Sequence, residues 1–401
     1  MSYCKEREPT AQSRYADPAR AVEDDTHEPI ERYQRPHRKG WFQWIPTDRG
    51  QLRATECAML VHLRSPYQQR TIAGLNTITL TARAAAAGGS TTSSQAHHVL
   101  FLHGFGGGLA AWLPNLDPLV AELALAPFAS PCYVHAVDMP GFARSDRTWR
   151  NFVDDKKAMS FMTESLLAWC GEMGISPESS RLDIIGHSFG GYIAAQFALQ
   201  HPERVSHLFL ADPWGVPICD ESEWKNRRIP IRFRIGLALY RFGLPLWVLR
   251  AVGPMGPRLL PRFRPDFAER WKPHIDDVNK FFDYTYHCNA DRNALGEHAF
   301  QMCGRHDIPV YARQPLAAHL PAGLSVNVQL TVAYGENTWM RRDAGERMVQ
   351  QMQRAAPEAS RAIHIISEAG HQINTDNAPD FNRLLIAVIV RDPFASPHHS
   401  N

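Results

Sequence analysis

Short apolar runs and longer amphipathic stretches take turns along this chain. His98–Leu102, Cys132–Val137, Leu182–Ile185, Val205–Ala211, Val326–Ala333 and Ala362–Ile366 are brief, apolar and bounded by turn residues. Runs of that kind predict strands buried on both faces of a parallel sheet. Between them lie stretches with helical spacing: from Ala110 onward, Ala158–Glu172, Ile193–Leu199 and Pro379–Val390. Strand and helix in alternation predict an α/β fold, a mostly parallel central sheet flanked by helices. Ahead of it, Gln51–Leu63 carries a helical pattern. Tyr67–Thr81 reads as two strands broken at Gly74-Leu75-Asn76, and residues 82–94 are a low-complexity tip or insertion.

From about 216 to 320 the strand signal stops. Pro, Arg and aromatic residues cluster instead, as in Pro254-Met255-Gly256-Pro257 and Arg262-Phe263-Arg264-Pro265-Asp266-Phe267. The expected organisation is a disordered tail over 1–38, a Trp-containing membrane-associating arm and helix over 39–63, and a core in two parts, 64–215 and 321–401. A helical cap insertion over 216–320 divides that core.

Composition narrows the picture. With 401 residues, 44% of them hydrophobic, one large domain with insertions suffices. A net charge of +2 argues against a nucleic-acid partner. Seven scattered Cys without a C-x-x-C pair predict reduced thiols in a cytosolic-type compartment. No apolar run is long enough to span a bilayer, and the first residues lack the apolar core of a signal peptide. Trp41 and Trp44 lie beside Arg38 and Lys39. That combination suits an interfacial anchor, or an arm packed on the domain.

The candidate chemistry centres on Gly186-His187-Ser188-Phe189-Gly190, a G-x-S-x-G turn with a strand before it and a helix after it. This is the setting of a nucleophile elbow, with Ser188 thrust out at the end of the strand. A serine hydroxyl needs a base, and the base needs an orienting acid. His371 follows the last strand in a Gly-His turn and precedes the terminal helix, where the base belongs. The acid is expected after the strand ending at Tyr334-Gly335. There the common G-x-x-D position holds Thr338, so Asp343 is the first choice, with Glu336 and Asp212 as alternatives. His103-Gly104-Phe105-Gly106 matches an oxyanion-loop motif, which assigns the amides of Phe105 and Phe189 to the oxyanion hole. His371-Gln372-Ile373-Asn374-Thr375-Asp376 has the H-x-x-x-x-D spacing of glycerolipid acyltransferases, which makes Asp376 either a head-group contact or a helix cap. Nothing in the sequence calls for a cofactor or a metal.

Several stretches are more specific than any general motif. They are Gly40-Trp41 to Thr47, His103 to Gly108 with Trp112, and Asp212-Pro213-Trp214-Gly215. Arg262 to Phe267, Tyr284-Thr285-Tyr286-His287-Cys288-Asn289-Ala290 with Gly296-Glu297, and His371 to Asp376 complete the set. On these the chain resembles abhydrolase domain-containing proteins 4 and 5 and their plant and fungal relatives. The resemblance implies an α/β-hydrolase fold with a helical cap. It implies a serine acyl hydrolase of glycerophospholipids or N-acyl phospholipids. Two other activities occur among the relatives, a lysophosphatidic acid or lysophospholipid acyltransferase and a non-enzymatic lipase coactivator. The coactivator has Asn where this chain has Ser188. The implied setting is cytoplasmic and peripheral to a membrane or lipid droplet, or mitochondrial, with phospholipid as substrate and a lipase or droplet protein as candidate partner. Many members carry an Asp two residues after a Trp in the acid loop. Here the run is Trp339-Met340-Arg341.

Overall fold

The computed structural model describes residues 47–83, 96–126, 130–220, 246–305 and 311–390. Trp41 and Trp44 lie outside the described residues. Eight strands form one sheet: β1 Tyr67–Ile72, β2 Leu75–Arg83, β3 Ala96–Leu102, β4 Cys132–Val137, β5 Ser180–His187, β6 Val205–Ala211, β7 Gln329–Gly335 and β8 Arg361–Ile366. Their order is β1-β2-β4-β3-β5-β6-β7-β8. β2 runs antiparallel to β1 and β4, and every other pairing is parallel. The central parallel strands β3, β5 and β6 are buried on both sides, as their apolar runs require, while the edge strand β8 is only partly covered.

Local chemistry sets the element boundaries. The first hairpin turns at Ala73-Gly74, one residue earlier than expected, with both residues at positive φ. Two such residues match the twist of the flanking strands. Asp154 accepts from the Lys157 amide and starts the third helix at Asp155, ahead of the predicted Ala158. β7 begins at Gln329 instead of Val326, because the Val328 and Asn327 amides close a turn onto Ser325.

Helices cover both faces. α1 (Arg49–Leu60), α2 (Leu113–Leu125), α3 (Asp155–Glu172) and α4 (Phe189–Gln200) precede the insertion. One core, around Trp169, Phe189, Tyr192 and Tyr334, packs under α3 and α4. The other, around Phe101, Trp112, Phe209 and Phe381, packs under α2 and the final helix. α1 also brings Glu56 into the interior, where it meets Arg144 at 2.5 Å.

Between β6 and β7 the described chain is helical: α5 Trp247–Ala251, α6 Gly256–Phe263, α7 Asp266–Trp271, α8 Asn279–Asn289, α9 Leu295–Cys303 and α10 Leu316–Gly323. The Leu316 and Ala317 amides donate to the carbonyls of Gly215 and Val216, so the chain re-enters the core where it left. α11 (Arg342–Ala355), the one-turn α12 (Ile373–Asp376) and α13 (Ala378–Ile389) complete the fold.

Candidate active site

The site lies at the carboxyl ends of β5, β6, β7 and β8. Ser188 sits between β5 and α4 at φ +53° and ψ −116°. The turn is feasible only because its neighbours lack side chains. A Cβ on Gly186 would lie 2.5 Å from the Gly190 carbonyl oxygen, and one on Gly190 would lie 2.4 Å from that of His103. The Ser188 amide donates to Ala211, and its carbonyl accepts from Tyr192 and Trp214, so the elbow is tied to α4 and to the end of β6.

His371 follows β8 and turns its ring onto the serine. Its Nε2 is 3.0 Å from Ser188 Oγ, and its Nδ1 is 2.5 Å from Asp212 Oδ2. Asp212 is fully buried. Its other oxygen accepts from the Gly335 amide at 3.2 Å, and Oδ2 also accepts from Thr338 Oγ1 at 2.7 Å. Below His371 lies His187, whose Nε2–H donates to the His371 carbonyl at 2.8 Å. Burial, and then the facing His371, pushes His187 down to about 3, so it holds the loop as a neutral imidazole.

The acid at His371 is therefore Asp212, and the expectation of Asp343 is corrected. Asp343 opens α11 with its side chain 44% exposed, gripped by Arg341 and Arg347 at 2.9 Å each. The Arg341 hydrogen bonds hold its carboxyl well below the usual range. Glu336 is exposed and accepts from the Glu368 amide. The loop after β7 was the expected source of the acid. β6 lies between β5 and β7, so a carboxylate at its end reaches the same histidine.

Phe105 lies in the loop after β3, and Phe189 directly follows Ser188 as the first residue of α4. Among the described residues neither amide has a protein acceptor, and the Phe189 amide belongs to the first turn of α4, where donors are left over. The loop before Phe105 is locked by His103. Its Nε2 accepts from the Met139 amide at 2.9 Å, so its proton sits on Nδ1 and is donated to the Gly104 carbonyl at 2.8 Å. On the far side of that loop, Asn289 of α8 donates to the Gly106 carbonyl at 2.6 Å.

Asp376 does not cap the last helix. Asn377 does, accepting from the Asp380 amide. The Asp376 carboxylate is instead turned inward. Its Oδ2 accepts from the Gly370 amide at 2.8 Å, and its Oδ1 lies 2.7 Å from Arg270 Nε of α7, as an ion pair without hydrogen-bond alignment. Arg270 also meets Asp266, which pairs with Arg264.

Sequence reasoning passed over Thr338, His187, Arg270 and an aromatic wall. Phe300 of α9 stacks on Phe105 at 4.3 Å and meets Phe189 and Trp214 at 4.9 Å each. Trp339, 61% exposed, stands 5.0 Å from the His371 ring. One signal was available: Thr338 occupies the very G-x-x-D position where an acid was sought.

Residues 99–383 match the alpha/beta hydrolase family. A (lyso)-N-acylphosphatidylethanolamine lipase of Mus musculus is 33% identical over 288 residues, covering 72% of this chain and 77% of its own. A Sus scrofa protein named 1-acylglycerol-3-phosphate O-acyltransferase ABHD5 is 32% identical, covering 71% and 75%. Among solved structures, a membrane phospholipase A described as a bacterial virulence factor superposes with a TM-score of 0.54 at 20% identity, over 85% of this chain and 91% of that one. Fold, family match and relatives agree: this chain belongs to the alpha/beta hydrolase family, beside the abhydrolase domain-containing proteins that its sequence resembles.

Proposed function

We propose that this protein is a serine acyl hydrolase of glycerophospholipids or N-acyl phospholipids, working through an acyl-enzyme on Ser188. The observation that carries the reading is the unbroken relay from Ser188 Oγ through both nitrogens of His371 to Asp212. In this reading His371 Nε2 takes the serine proton as Oγ attacks the acyl carbonyl. Asp212 remains ionised and stabilises the imidazolium through Nδ1–H. The charge on the tetrahedral oxygen is met by the amides of Phe105 and Phe189. Collapse of that intermediate expels the lyso product, protonated by His371. Water then attacks the acyl-serine by the same route and frees the fatty acid.

The mouse relative's name supports the phospholipid class. The pig relative's name supports a variant in which the hydroxyl of a lysophosphatidic acid takes the place of water. Phe105, Phe300 and Trp214 offer an apolar wall for an acyl chain. The proposed setting is the cytoplasmic face of a membrane or lipid droplet, with residues 216–320 as the cap. Exposed Trp339, Trp247 and Met255 support it, and among the described residues no helix is long and apolar enough to cross a membrane.

The test is a fluorophosphonate probe followed by a mixed phospholipid panel read by mass spectrometry. Wild-type protein is expected to label and to release lyso products. Ser188→Ala loses labelling and about 10³-fold or more of the rate. A wild-type protein that neither labels nor turns over any acyl lipid overturns the proposal.

A further inference from the structure

We infer that Thr338 is a positioning residue of the triad: its hydroxyl fixes the rotamer of Asp212 and shares the oxygen that receives His371. The inference rests on the proposed role of Asp212. Thr338 Oγ1 accepts from the Met340 amide at 3.1 Å. With that lone pair taken, the hydroxyl proton is directed to Asp212 Oδ2, 2.7 Å away. The same oxygen takes the His371 Nδ1–H at 2.5 Å. Gly335 holds the other oxygen by its amide. The carboxylate thus has three donors from three directions, and none leaves it room to rotate.

The arrangement has a chemical rationale. Asp212 is buried, and a buried carboxylate needs its lone pairs satisfied. Two donors on one oxygen compete for the same electron density, so the hydroxyl moderates the pull of Asp212 on the imidazole. A carboxylate at position 338 would meet Asp212 directly, where Thr338 Oγ1 now lies 2.7 Å from Oδ2, and repel it. A threonine there is the complement of an acid on β6: it supplies the donor that the relocated carboxylate needs. Asp212 itself sits at φ +46°, and its amide donates to the Ala333 carbonyl at 2.7 Å. The backbone at both ends of the contact is therefore fixed, and only the side-chain rotamer is left for Thr338 to set.

The experiment compares Thr338→Val, Thr338→Ser and Asp212→Asn in the full chain, with a soluble short-chain ester as substrate. Thr338→Val keeps shape and removes the donor. It is expected to lower kcat about tenfold with KM and melting temperature close to wild type. Thr338→Ser restores the hydroxyl and is expected to recover most of kcat. The low-field proton resonance of the His371 Nδ1–H is expected to move further downfield in Thr338→Val, since the competing donor is gone. A merely structural threonine would leave that resonance in place. If Asp212→Asn is inactive and Thr338→Val matches wild type in kcat and resonance, the positioning role is refuted and the triad stands. If Asp212→Asn retains full activity, the triad assignment itself fails and takes this inference with it.

Discussion

Lowering the pH from 6.5 towards 5.5 is expected to destabilise this protein, because its interior is stocked with neutral histidines. Burial pushes His98, His103, His207 and His287 from 6.5 down to about 4, and His187 to about 3. His135 is lowered as well. Geometry agrees, since His103 needs an unprotonated Nε2 to accept the Met139 amide. An unfolded chain protonates these rings near 6.5 and the folded chain does so only near 4. Between those values the unfolded state binds more protons, so stability falls as pH falls. At pH 5.5 each ring costs on the order of 1 kcal/mol, so five of them together cost several kcal/mol, a sizeable part of the stability of a typical domain. Glu56, Asp138 and Asp376 work the other way: burial raises their carboxyls, so the folded state takes up those protons first and returns part of the loss. Three carboxyls against five imidazoles leave a net loss of a few kcal/mol, or a few degrees in Tm for a chain of this size. Thermal melts by circular dichroism at pH 8, 6.5 and 5.5 check this. A Tm that is flat or rising from 6.5 to 5.5 refutes the reasoning.

Three further outcomes follow from the site. Asp212→Asn is expected to cost about 10⁴ in kcat, while Asp343→Asn, which only releases two surface arginines, stays within about twofold of wild type; paired kinetics on a soluble ester decide it. Asp376→Ala leaves the Gly370 amide without its acceptor and Arg270 with Asp266 alone, and is expected to cost about 2 kcal/mol. Because Gly370 adjoins His371, it lowers turnover of soluble ester and vesicle phospholipid alike, whereas loss on phospholipid alone would point to a head-group contact. Trp339→Ala, and separately the pair Trp41→Ala with Trp44→Ala, are expected to reduce liposome flotation and vesicle turnover while sparing a soluble ester; unchanged flotation with a lowered Tm would mean that these rings serve packing.

The centre of the sheet was legible because β3, β5 and β6 are buried on both faces and written as plain apolar runs. Ser188 and His371 were legible because each sits in a local pattern, a Gly-flanked turn after a strand. The acid was not, since its identity depends on which of two neighbouring strands ends nearer the histidine. Asp212 and Asp343 are both single carboxylates after apolar runs, and only the spatial order β5-β6-β7 tells them apart. The cap alternative for Asp376 fails for a similar reason. Its partner, Arg270, is more than a hundred positions earlier in the chain by its numbering, so local spacing suggested a cap that Asn377 supplies. The specific runs of the resemblance acquire physical content here. Asn289 of the Tyr284–Ala290 run grips the Gly106 carbonyl, and in the 212–215 run Asp212 meets His371 while Trp214 meets Phe300.

Two members of the Ser188-His371-Asp212 relay, Ser188 and Asp212, have backbones in the left-handed region, at +53° and +46°. Conformations of this kind cost about 1–3 kcal/mol each for residues with side chains. The surrounding fold therefore holds the elbow under tension, and selection for folding alone would not keep it there. Glycine at 188 would relieve that tension outright, giving a protein that melts later and does nothing. The proposed chemistry at Ser188 would thus be carried by a residue that costs the fold stability, and a thermal melt of Ser188→Gly measures that cost.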